Sequence, residues 1–234
     1  MTGCSWIASK RGWSLLHGNV MVEGTSDVAY FALANKLYVR THGKNLLGVD
    51  FSMFAAGVGD QGGTFGMSER FPALFEMASL DVDASDKRRF RVIALVDDDK
   101  MGQSAVAGIT KGHRQIIEYK TIFRLRRIMP LKAGSPKSLA EKTKAANESY
   151  GTLECTIEDL LDTKLIEKFI LIMPQAIYKP NSIAASGIHR HWTEDGKRKL
   201  LQYTKNHANL EEMKHLVEIL KALRSYVELP PDGV

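Results

Sequence analysis

Four acidic residues in two short stretches hold the clearest chemistry in this chain. Glu23 and Asp27 stand in Val20-Met21-Val22-Glu23-Gly24-Thr25-Ser26-Asp27, and Asp97 and Asp99 in Val92-Ile93-Ala94-Leu95-Val96-Asp97-Asp98-Asp99. Each stretch is an apolar run that stops at a carboxylate. A run buried on both faces reads as a parallel strand, and the crevice beyond the C-terminal strand ends is the usual ligand site of an open α/β sheet. Asp27 lies four residues past Glu23, in a first helical turn, and can face the same crevice. Asp97 and Asp99 share one side in strand register. Carboxylates gathered this closely repel unless a cation neutralises them. Mg²⁺ suits the set, because it takes hard oxygen ligands and keeps water and phosphate in its octahedron. Alone, Asp97-Asp98-Asp99 also reads as a helix-capping string; both stretches in this order, with a glycine turn between, favour the metal.

Positioning these acids requires strands alternating with helices. Residues 18–22 read as a strand and Ser26 to Arg40 as a helix, capped by Thr25 or Ser26, with Val28, Phe31, Leu33 and Leu37 on its apolar face. A second strand is expected near Phe51 to Ala56, then a turn over Gly57 to Gly63 and a helix near Ser68 to Ala78. Phe90 to Val96 is the clearest strand. Met101 to Gly112 reads as a loop and weak helix, and Ile116 to Leu131 as an edge hairpin. Thr156 to Leu165 reads as a helix with Glu158 and Asp159 in its first turns, and Asn209 to Val227 has amphipathic spacing. The class is therefore α/β, a mainly parallel sheet flanked by helices, with a helical C-terminal extension. The expected divisions are an N-terminal extension at 1–17, a core at 18–130, a flexible loop or insertion at 131–150 and a completing segment at 151–234.

The 234 residues are 44% hydrophobic and 25% charged, which suits a globular chain with one large core. Two cysteines, Cys4 and Cys155, supply neither a disulfide framework nor a cysteine-rich zinc site, so a reducing cytoplasm is expected. No apolar stretch reaches membrane-spanning length, and the N-terminus lacks a signal-peptide core. The net charge of +5 permits a polyanionic partner. Basic runs at Lys87-Arg88-Arg89, Arg124-Leu125-Arg126-Arg127 and Lys197-Arg198-Lys199 could track a phosphate backbone, or could be solvated faces.

The strand ending in Glu23-Gly24 and the strand ending in Asp97-x-Asp99 resemble the TOPRIM domain shared by topoisomerases, DnaG-type primases, recombination mediators, rRNA-maturation ribonucleases and OLD-family nucleases. Gly62-Gly63 falls where that family often carries a glycine pair. The resemblance implies a Rossmann-like TOPRIM fold, with Glu23 as metal ligand or general acid/base and Asp97 and Asp99 as Mg²⁺ ligands. Asp27 makes the motif similar to the OLD-like and ribonuclease branches, whose extra acid supports a second metal. Those branches also carry a later acidic helix, matched here by Thr156-Ile157-Glu158-Asp159, with Glu158 favoured over Asp159 and Glu154. They use a lysine beyond it to stabilise the scissile phosphate; Lys197 and Lys199 lie in the most similar stretch, and Lys179 is a rival. Arg126, Arg127, Lys179 and Arg198 are the expected nucleic-acid contacts. The implied function is a nuclease using two Mg²⁺ (or Mn²⁺) ions on DNA, as the effector of a bacterial anti-phage system. An ATPase or other regulatory subunit is an expected partner, and a homo-oligomer is possible. RNA processing, or nucleic-acid binding without cleavage, are the alternatives.

Three other signals carry less. Gly57-x-Gly59-x-x-Gly62 matches a dinucleotide-binding fingerprint but lacks the acid about twenty residues on. His189-Arg190-His191-Trp192 has no third metal ligand nearby, so a surface or nucleic-acid contact is expected. The sequence holds no Gly-x-x-x-x-Gly-Lys-Ser/Thr phosphate loop, so no ATPase is expected within it.

Overall fold

Four parallel strands form the centre of the molecule: β1 (Gly18–Val22), β2 (Phe51–Ala55), β3 (Arg91–Val96) and β4 (Ile122–Arg124), in spatial order β2-β1-β3-β4. The computed structural model describes residues 2–57 and 62–234. Of the glycine-rich turn expected at Gly57 to Gly63, residues 58–61 lie outside that set. In register, Val20 sits beside Met53 and Ile93, and Val22 beside Ala55 and Leu95. Because the strands are parallel, their C-terminal tips open on one rim.

Helices cover both faces, as the uninterrupted apolar strands require. Val20, Val22, Ile93 and Leu95 face one core with α2 (Thr25–His42) and α8 (Lys214–Tyr226). Met21, Val92, Ala94 and Val96 face the other with α3 (Gly63–Leu80) and α4 (Lys100–Gly112). The result is a Rossmann-like α/β sandwich with further helices toward the C-terminus. The N-terminal segment belongs to it: α1 (Gly3–Lys10) buries Cys4 and Ala8 in the second core, and Trp13 stacks on Phe54 at 5.2 Å. This N-terminal segment, from residue 2 on, is thus part of the body.

Several expectations change. Gly24, rather than Thr25 or Ser26, caps α2. The stretch at 100–112 is a full helix, because Asp99 caps it by accepting the Gly102 N–H at 2.7 Å. Ile116 to Leu131 is no hairpin; it contributes only the short parallel strand β4. The expected flexible loop at 131–150 contains α5 (Pro136–Ala146), with Ser135 as cap, proline at its first position and Leu139 and Thr143 buried beneath it. Thr156 to Leu165 is divided into a 3-10 turn at Ile157–Leu160 and α6, which begins at Thr163 and ends at Ile172. An antiparallel pair unmarked by the periodicity, β5 (Ile177–Ala184) and β6 (Gly187–Trp192), precedes α7 (Glu194–His207).

Candidate active site

The β1 and β3 tips are tied to each other through one carboxylate. Glu23 follows β1 and accepts the backbone N–H of Asp97, the first residue past β3, at 2.9 Å. One turn into α2, Asp27 folds back to accept the Gly24 N–H at 2.9 Å. Each of these two contacts uses one oxygen of its carboxylate. Burial, followed by repulsion from Asp27 and Asp99, pushes the Glu23 carboxyl up to about 7. Burial and Glu158 together push Asp27 up to about 6. Asp97 is raised well above the ordinary range, first by burial and then by Asp27, Glu23 and Glu158.

Glu158 reaches this group from far along the chain. Asp98 and Cys155 exchange backbone hydrogen bonds at 2.9 and 3.3 Å, which lays residues 155–158 against the β3 tip. The 3-10 turn then points Glu158 inward, where it is 2% exposed and its Oε2 has no hydrogen-bond partner. Across from it stands Lys197, on the first turns of α7, with Nζ 3.7 Å from Glu158 Oε2. Glu158 is the largest influence raising the Lys197 pKa, ahead of Asp97, Asp27 and Asp99, while burial opposes them. The preceding Gly196 has no room for a side chain: a Cβ would lie 2.5 Å from the Ala176 carbonyl oxygen, so glycine lets α7 approach closely.

The two tips, α2, the 3-10 turn and α7 therefore bring together Glu23, Asp27, Asp97, Glu158 and Lys197. Asp99 is near enough to influence Glu23 and Lys197 electrostatically, but one of its oxygens caps α4. Asp98, between the two, is turned away. It is 2% exposed and held by Arg124 at 3.1 Å, Arg126 at 2.6 Å and Gln103 at 3.2 Å.

No protein-family model, curated protein or solved structure matches this chain, so the arrangement rests on its own geometry. Among the described residues no three His, Cys, Asp or Glu side chains form a ready metal shell. The donors nevertheless fit a hard divalent cation in type: all are carboxylate oxygens, Glu158 Oε2 is buried without a hydrogen-bond partner and faces Lys197 only at ion-pair distance, and Glu23 and Asp27 each engage one oxygen with the backbone.

The remaining candidates lie elsewhere. Lys199 pairs with Asp195 at 2.8 Å, and Arg198 pairs with the same carboxylate, both on the exposed side of α7. Of the two lysines, Lys197 alone meets the acids. Lys179 lies exposed on β5, over the Tyr178 ring. Arg127, expected on a nucleic-acid surface, is 8% exposed; it donates to the Glu154 and Ile188 carbonyls and lies over Tyr150. Arg126 is committed to Asp98. His189 and Arg190, also expected at the surface, are both buried. Asp159 takes His189 Nδ1 at 2.7 Å and the Thr156 N–H at 3.0 Å, which leaves Glu158 as the acid of that turn facing the tips. The clamp of Arg124, the last residue of β4, and Arg126, two residues past it, on Asp98 went unread in the sequence.

Proposed function

We propose that the chain is a metal-dependent TOPRIM-type nuclease that hydrolyses DNA phosphodiester bonds, with the cluster at the β1 and β3 tips as its active site. The convergence of Glu23, Asp27, Asp97 and Glu158 opposite Lys197 supports the reading most directly. A site built only to stabilise the fold is not expected to gather four repelling carboxylates, one with a buried oxygen that accepts no hydrogen bond. Glu23, Asp27, Asp97 and Glu158 would hold Mg²⁺ or Mn²⁺, with Asp99 beside them. The ion, present once or twice, supplies charge neutralisation at the phosphate and an acidified water.

The protein's own part is positioning and charge. The Asp97 N–H fixes one oxygen of Glu23. Asp27 is held by Gly24 in the same way. Lys197 brings a cation to the rim, where it can offset the charge that develops on a non-bridging phosphate oxygen or the leaving oxygen. Exposed Lys179 would contact the backbone of a bound strand, and Arg198 would do so on leaving its surface pair with Asp195. A role as the effector of an anti-phage system, controlled by an ATPase or other subunit and acting in the cytoplasm, belongs to the same reading.

The test is cleavage of plasmid and oligonucleotide DNA by the purified protein with Mg²⁺ or Mn²⁺, alongside structured RNA. Glu23→Gln and Asp97→Asn should each lower the rate by ~100-fold or more, beyond the cost of losing an outer-shell partner. Lys197→Met should also be slow and Lys199→Met close to wild type. Metal-dependent cleavage that survives both acid substitutions would overturn the assignment.

A further inference from the structure

A cavity opens beside the carboxylate cluster, at the C-terminal tip of β2. It holds about 440 Å³, within the range of small-ligand sites, and is lined by Arg11, Trp13, Thr25, Met53, Phe54 and Arg70 among others. Backbone hydrogen bonds fix this tip next to the cluster. The Ala56 N–H donates to the Val22 carbonyl at 2.7 Å, and the Gly63 N–H donates to the Glu23 carbonyl at 3.1 Å. Thr25, in the cavity wall, stands midway between Glu23 and Asp27 in the chain.

The end of α1 builds the opposite wall. Gly12 takes φ +72°, and the N–H groups of Gly12 and Trp13 bond back to the Ser9 and Ala8 carbonyls at 3.0 and 2.9 Å. This left-handed helix stop reverses the chain and brings both Arg11 and Trp13 to the cavity. Trp13 is fixed there. Its indole N–H donates to the Ala55 carbonyl at 2.9 Å, and its ring stacks on Phe54. With Val28 and Met53, these rings give the cavity an apolar lining. Its charge is all of one sign. Arg11 is exposed and enters no ion pair among the described residues, and Arg70 reaches the β2 tip by donating to the Ala56 carbonyl. No acidic residue lines the cavity among the described residues.

We propose that this cavity seats one unpaired nucleotide of a DNA strand, next to the phosphate held at the carboxylate cluster. The inference rests on the nuclease reading above and adds the form of the substrate. The base lies against the apolar lining while a flanking phosphate meets the two guanidinium groups. Single-strand sites combine an apolar, aromatic surface with cations in this way. The arginines also offset the repulsion that the acidic cluster exerts on a polyanion. A base seated here has left its stack and its partner, so a fully paired duplex must open to use the site. The favoured substrate is therefore a single strand, or the unpaired end of a duplex.

The experiment uses the full chain without metal and reads binding of labelled oligonucleotides by fluorescence anisotropy at one fixed salt concentration. It is thus independent of cleavage. A short single strand should bind ~10-fold or more tightly than a blunt hairpin duplex of the same sequence, and ~10-fold or more tightly than an equally long strand of abasic spacers. Arg11→Gln should weaken single-strand binding by ~10-fold, the loss of a charge-assisted contact. Lys10→Gln removes the same charge one residue away, outside the cavity, and should change binding by less than about 2-fold. Equal affinity for the duplex or the abasic strand, or equal effects of the two substitutions, would overturn the subsite even in a protein that cleaves DNA. So would displacement of the strand by adenosine 5′-monophosphate at the strand's own affinity, which makes the cavity a site for free nucleotide. If these binding contrasts hold and Mg²⁺ or Mn²⁺ brings no cleavage, the subsite stands and the nuclease reading alone falls.

Discussion

Glu23 and Asp27 hold their protons more tightly in the folded chain than an unfolded carboxylate does, near 7 and near 6. A carboxyl whose folded pKa is raised favours the fold while protonated. Its contribution is complete below the unfolded pKa and is lost as pH rises through the folded value. The metal-free protein should therefore lose stability between about pH 4.5 and about pH 7 on account of this cluster. Glu23→Gln, which cannot ionise, should show a flatter melting-temperature profile over that window and gain on wild type as the pH rises. Added Mg²⁺ should raise the wild-type melting temperature most at the alkaline end and the variant's least. Parallel profiles for the two proteins would remove the cluster as the cause. At this scale much was legible: a strand that ends in an acid announces itself, and so does an acid one helical turn later. Lys197 and Lys199 could not be separated by composition. Their difference is one of side, and only the packing of α7 on the body assigns the sides.

The helix after the Asp97 tip shows what small residues do that periodicity does not reveal. In α4 a Cβ on Gly102 would lie 2.0 Å from the Asp97 carbonyl oxygen, whereas a Cβ on Gly108 meets nothing within 4 Å. Gly102→Ala should therefore displace the Asp97 peptide and cost ~1–3 kcal/mol, the range for overpacking. Gly108→Ala, in the same helix, should be neutral or stabilising by up to ~1 kcal/mol. Denaturant unfolding of both variants checks the contrast, and equal effects would refute the close-approach argument. The small-residue composition that suggests a weak helix is thus what lets this element stand directly beneath the site. Similar reasoning accounts for α5: Ser135 and Pro136 are start signals, but a polar sequence around two buried positions, Leu139 and Thr143, hides the helix from a hydrophobic pattern. The β5–β6 pair escapes for a related cause. Its β5 residues are largely exposed, so no two-residue alternation marks them.

The body is closed by a contact between its last helix and the entry of β2. Arg224 on α8 is fully buried and pairs with Asp50 through both terminal guanidinium nitrogens, at 2.7 and 2.8 Å. It also donates to the carbonyls of Leu46 and Pro230 at 2.9 and 2.8 Å. This one side chain joins the last helix to the entry of β2 and to the C-terminal tail. Asp50→Ala leaves the guanidinium buried and uncompensated, and the expected loss is ~3–5 kcal/mol in equilibrium unfolding. A loss below ~1 kcal/mol, the value of an exposed pair, would show that the contact is screened. Across the whole molecule, the sheet brings the first hundred residues to the rim, and the last eighty supply Glu158 and Lys197 from α-helical and 3-10 segments wrapped back upon it.

The residue pattern alone determined the strands at 18–22 and 90–96, the acids at their tips and the α/β class, because burial on both faces forces an apolar run and a polar stop that any reader of the chain can see. Tertiary structure decided the rest. It set Glu158 beside Lys197 while His189 holds Asp159, through the Asp98–Cys155 bridge, and it left Lys199 paired with Asp195 on the exposed side of α7. It also withdrew Arg127 and Arg190 from the surface. Neighbouring residues of like chemistry have nearly identical local propensities, so only long-range contacts, which no local spacing encodes, could tell them apart.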